Sequence, residues 1–109
     1  MAKVVLNSSK IIDWESFHTL SADLFGFPAF YGKNMDAWID CLGYLETNDE
    51  MTKFTLSPDE MLEIEITEVE KFRKRTPEIF AELIDCVAIV NARYRTVGSK
   101  PKVSLIMIQ

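Results

Sequence analysis

Three short apolar segments, set apart by longer stretches of helical spacing, constrain this chain more than any other feature. Ala2-Lys3-Val4-Val5-Leu6 is apolar and β-branched and stops at the turn formers Asn7-Ser8-Ser9, which predicts a first strand. Met61 to Thr67 alternates apolar and acidic residues, as a strand with one face toward solvent does. After Gly98-Ser99-Lys100-Pro101, the segment Val103 to Ile108 is apolar enough for a buried strand. Strands joined through helical crossovers run parallel, and the right-handedness of such crossovers places the helices together. The expected fold is α/β, a small three-stranded parallel sheet with helices packed mainly on one face. At 109 residues, 48% of them hydrophobic, the chain has material for one core, so a single domain over 1–109 is expected.

The helices announce themselves by their ends. Asp13 stands before Trp14, Phe17, Leu20, Leu24 and Phe25, whose spacing marks one helix face, and its carboxylate is placed to accept the free amide protons of the first turn. This helix should stop near Gly26. Phe27-Pro28-Ala29-Phe30-Tyr31-Gly32-Lys33 cannot continue it and reads as a short aromatic loop. Asn34 then caps a second helix with apolar members Met35, Trp38, Ile39, Leu42 and Leu45, expected to end around Glu46 or Thr47. Residues 48–60 read as a loop with a few extended residues around Phe54-Thr55-Leu56. The charged run Glu68 to Arg75 leads to Thr76-Pro77, the start of a long helix to about Tyr94 with a core face of Ile79, Phe80, Leu83, Cys86, Val87 and Val90.

The net charge of −5 is confined to the first half. Lys3, Lys10 and Lys33 face Asp13, Glu15, Asp23, Asp36, Asp40, Glu46, Asp49 and Glu50 within the first 50 residues, whereas the remainder is balanced. Such a face attracts a basic partner and repels phosphate, so nucleic acid is not an expected ligand. The N-terminal apolar run is too short for a signal peptide, and no stretch reaches membrane-spanning length. Cys41 and Cys86 lie in apolar helical patterns and are expected buried and reduced, in a cytoplasmic protein.

Winding the second helix at about 100° per residue places Asp36, Asp40, Gly43, Tyr44 and Thr47 opposite its apolar sector. Like charges four apart cost a helix a few tenths of a kcal/mol, and a helical glycine up to about 1 kcal/mol. Local stability therefore does not account for the stripe. Asp36 lies in the first turn, where the helix dipole favours an acid. Asp40 lies beyond that turn, with no basic residue at 36, 37, 43 or 44. Elsewhere the bland readings prevail: His18 as a packing residue of the first helix, Cys41 as an inert thiol, and Arg93, Arg95, Lys100 and Lys102 as solvated charges flanking a turn.

The stretch Pro28-Ala29-Phe30-Tyr31-Gly32-Lys33-Asn34-Met35-Asp36-Ala37-Trp38-Ile39-Asp40-Cys41-Leu42 resembles the signature of barstar-like proteins, intracellular inhibitors of barnase-type ribonucleases. The resemblance is strong over residues 2–46 and extends to His18 in the first helix and to the closing strand. It implies a fold of this kind and a protein partner, a basic extracellular-type ribonuclease, whose active-site cleft is plugged by the aromatic loop and the exposed side of the second helix. Asp40 matches the aspartate that takes the place of a substrate phosphate, and Asp36 the other interfacial one. The implied contact set is Phe30, Tyr31, Gly32, Asn34, Asp36, Asp40, Gly43 and Tyr44, with no catalysis and no cofactor. The chain departs from the founding inhibitor in carrying Trp38-Ile39 for Leu-Trp, Phe30 for a tyrosine, Gly43-Tyr44 for Thr-Gly, and an insertion over residues 48–61. Two other readings stand beside this one: a non-inhibitory interaction module of the same fold, and a divalent-metal hydrolase using Asp36 and Asp40.

Overall fold

The computed structural model describes residues 2–109. Strands β1 (Ala2–Leu6), β2 (Leu62–Ile66) and β3 (Val103–Met107) form a parallel sheet in the order β1-β2-β3, in a register that sets Val4 beside Ile64 and Ile64 beside Leu105. The period of two divides the sheet into faces. Val4, Leu6, Leu62, Ile64, Ile66 and Val103 are buried, whereas Lys3 and Glu65 meet in an ion pair of 3.0 Å on the opposite face. The expected burial of the whole last strand is corrected. Ile106 stands in register with Glu65 on the ion-pair face of the sheet, and the strand's end lies at the sheet edge, so Val103 is buried while Ile106, Met107 and Ile108 are exposed.

Between the strands run α1 (Trp14–Phe25), α2 (Met35–Leu42), α3 (Val69–Arg75) and α4 (Pro77–Thr96), with a 3₁₀ turn at Ser8–Lys10. Asp13 caps α1 as expected: its carboxylate accepts the Ser16 N–H at 2.8 Å, and the Ser16 hydroxyl meets the Asp13 N–H in return. Gly26 ends α1 in the left-handed conformation at φ 69°, where a side chain is both strained and excluded, since a Cβ there would lie 2.8 Å from that of Lys53.

The charged run before Pro77 is itself a helix, α3, burying Val69 and Phe72 and separated from α4 by Thr76. Phe72 meets Phe80 edge to face at 5.5 Å, and Arg75 donates to the carbonyls of Ser8 and Ile11, so α3 is tied to α4 and to the 3₁₀ turn. The expected core face of α4 is buried apart from the half-buried Phe80, and Tyr94 joins it. Residues 48–60 contain no strand, yet they are anchored by backbone bonds from Lys53 N–H to Phe25 C=O and from Leu56 N–H to Leu45 C=O.

Candidate protein-binding face

The loop between α1 and α2 is held from beneath by aromatic residues. Phe27 and Tyr31 turn inward, their ring centroids 4.7 Å apart, and Phe27 stacks on Phe25 at 5.3 Å. The Tyr31 hydroxyl bonds His18 Nδ1 at 2.6 Å, with both residues buried. Burial, with Lys33 nearby, lowers the His18 pKa and favours the neutral ring, while burial pushes the Tyr31 hydroxyl far up. His18 is thus the packing residue that its setting in the sequence predicts. Tyr31 is placed differently from the exposed contact set: it is 8% exposed and serves as the loop's anchor. Its neighbour Phe30, 76% exposed, projects outward instead.

Helix α2 begins where Asn34 Oδ1 accepts the Ala37 N–H at 2.8 Å, while Asn34 Nδ2 donates to the Gly32 carbonyl at 3.3 Å. Trp38 is fully buried against Phe17 and Phe25, and its indole N–H donates to the Ser21 hydroxyl. The Trp38-Ile39 order therefore places the indole in the core, as helical winding predicts. Asp36 and Asp40 are turned to solvent.

The helix is shorter than expected. It stops at Leu42, with Gly43 closing it at φ −72° and bonding back to Ile39 and Asp40, so Gly43, Tyr44 and Thr47 are exposed from a turn rather than from helix. A Cβ on Gly43 would sit 3.1 Å from the Asp40 carbonyl. The end is completed from another helix: the Tyr94 hydroxyl donates to the Leu42 carbonyl at 2.7 Å and accepts the Leu45 N–H at 2.9 Å. Burial pushes that hydroxyl up to about 12.

Asp40 also has a partner that local spacing cannot reveal. Arg93 Nη1 donates to Asp40 Oδ1 at 2.8 Å across 53 residues of sequence. The pair borders a cleft of about 510 Å³ lined by Asp40, Gly43, Tyr44, Met51, Arg93 and Val97, with Tyr94 behind. Two other members of the C-terminal basic group, expected as solvated charges, are paired or buried as well. Lys100 pairs with Asp59 at 2.5 Å, and Lys102 is fully buried, its ammonium on the Pro58 carbonyl with Glu46 at 3.7 Å. Burial raises the pKa of both free thiols, Cys41 and Cys86, which holds them in the unreactive form.

Of the residues expected on the contact surface, Phe30, Gly32, Asn34, Asp36, Asp40, Gly43 and Tyr44 are exposed along one run of chain and only Tyr31 is buried. Among the described residues, no three His, Cys, Asp or Glu side chains gather as a metal site, and no helix is long and apolar enough to cross a membrane.

The fold and this face describe a small α/β protein that carries an exposed acidic helix, braced on both sides, after a projecting aromatic loop. The sequence profile described as barstar (barnase inhibitor) matches residues 1–106, and the chain belongs to the barstar family. Comparison with curated proteins gives no match.

Proposed function

We propose that this chain, acting as a single domain over residues 1–109, inhibits a basic extracellular-type ribonuclease by covering its active site, and that it does so in the cytoplasm. The observation that carries this reading is the exposure of Asp40 and Asp36 on α2, within the half of the sequence that holds all of the excess negative charge. A ribonuclease holds phosphate with Arg, Lys and His groups, and a carboxylate engages the same groups through charge-assisted hydrogen bonds. The proposed contact set is Phe30, Gly32, Asn34, Asp36, Asp40, Gly43 and Tyr44, with Tyr31 supporting the loop from below. Phe30 supplies an exposed aromatic anchor, and the bare Gly43 lets the partner's surface approach the end of α2. The acidic half accelerates encounter at low salt.

Titration calorimetry against a purified barnase-type ribonuclease, at low and moderate salt, tests the reading. The expected result is one-to-one binding that weakens with salt. Asp40→Ala strands the partner's buried cation and should cost about 3 kcal/mol or more, over a hundredfold in Kd. Equal binding by Asp40→Ala and the native protein removes Asp40 from the role assigned to it.

A further inference from the structure

The pairing of Asp40 with Arg93 adds a requirement to the inhibitor reading, on which this inference rests. We propose that Arg93 is a specificity determinant: a target that offers a cation to Asp40 must also place a carboxylate in the cleft beside it, against Arg93.

Asp40 and Arg93 are 2.8 Å apart, and their side chains are 63% and 57% exposed, so any surface that closes over one closes over the other. The backbone at Arg93 cannot retreat. The next residue, Tyr94, is buried, with its hydroxyl fixed between Leu42 and Leu45. An exposed ion pair is weakly held, so an incoming cation either takes the place of Arg93 at the carboxylate or joins it through Oδ2, which Arg93 does not occupy. In both cases the guanidinium remains at the rim of a site from which water is being expelled. Around it stand Tyr44 at 41% exposure, Val97 at 76% and Met51, none of which carries a negative charge to balance it. A target cationic throughout this region would bring like charges together and leave Arg93 unmatched, whereas an acidic side chain entering the cleft would restore the pairing. Charge complementarity therefore selects the occupant: an Asp or Glu side chain of the ribonuclease, next to its phosphate-binding cations.

The test compares the native protein, Arg93→Gln and Arg93→Glu by calorimetry against a basic ribonuclease whose phosphate site has no carboxylate at its rim, with Asp40→Ala as control. Arg93→Gln should bind at least tenfold tighter than the native protein and Arg93→Glu tighter still. Against ribonuclease variants in which rim Lys or Arg residues are replaced one at a time by Glu, at least one variant should invert that order. Equal or weaker binding by Arg93→Gln, with Asp40→Ala still impaired, overturns the specificity role and leaves the inhibitor reading standing. No binding by any of the proteins overturns the inhibitor reading, and the specificity role falls with it.

Discussion

The two ends of α2 are closed by different means. At its start, Asn34 caps the Ala37 N–H from within the same turn, whereas at its finish the Leu42 carbonyl and the Leu45 N–H meet the hydroxyl of Tyr94 on α4. The acids follow the same division. Asp36 occupies the first turn, where the helix's own dipole favours it, and Asp40 is met by Arg93, again from α4. One end is thus a property of local sequence and the other of tertiary packing. The exposed face between them is only as well placed as its weaker fastening.

Removing the distant fastening should have the largest effect. Tyr94→Phe deletes both hydroxyl bonds and leaves a buried carbonyl and amide without partners, a loss of about 2–3 kcal/mol in urea unfolding. Amide exchange at Leu45 should quicken in this variant while that at Ala37 stays protected. The local fastening costs less to remove. Asn34→Ala gives up one exposed cap and should lower stability by about 1 kcal/mol, with faster exchange at Ala37. Were Asn34→Ala the more damaging of the two, the division between a local and a tertiary end would be reversed.

The same division explains what the sequence discloses. β1, the Asp13 cap, the stop at Gly26, the Asn34 cap and the inward Trp38 all rest on neighbours within a turn or on the helical period, and all stand where the pattern places them. The membership of the barstar family was legible in the run from Pro28 to Leu42 for the same reason. Helix α3 was obscured because its short length buries only Val69 and Phe72 and its first turn lacks a side-chain cap, so alternating charge hid the period. The inward turn of Tyr31 depends on His18 across the loop, and the pairing of Asp40 depends on α4. Burial of Lys102 was hidden likewise, since its partners, Pro58 and Glu46, come from a loop and from the turn after α2. No single turn or helical repeat contains both halves of these contacts.

The loop preceding α2 has its own distant fastening, the bond from Tyr31 to His18, and it yields the smallest effect and the one that pH can isolate. The folded His18 has a pKa below its ordinary 6.5, chiefly because burial penalises the charged ring and secondarily because Lys33 opposes it. As pH falls through 6.5 the unfolded chain takes up a proton that the folded one refuses, so stability contributed by the neutral ring is complete above 6.5. It declines from there toward the lowered folded value and levels off below it. With the unfolded value as reference, the loss by pH 6 is at most about 0.8 kcal/mol. The carboxyls of Asp13, Asp59 and Glu70, lowered from ordinary values of 3.8, 3.8 and 4.5, titrate below the range from pH 7.5 to 5.5. Urea midpoints measured from pH 7.5 to 5.5 should therefore fall in the native protein and remain flat in His18→Gln. A native profile as flat as the variant's would mean that the ring is not shielded from protonation and that the loop is held by its packed aromatics alone.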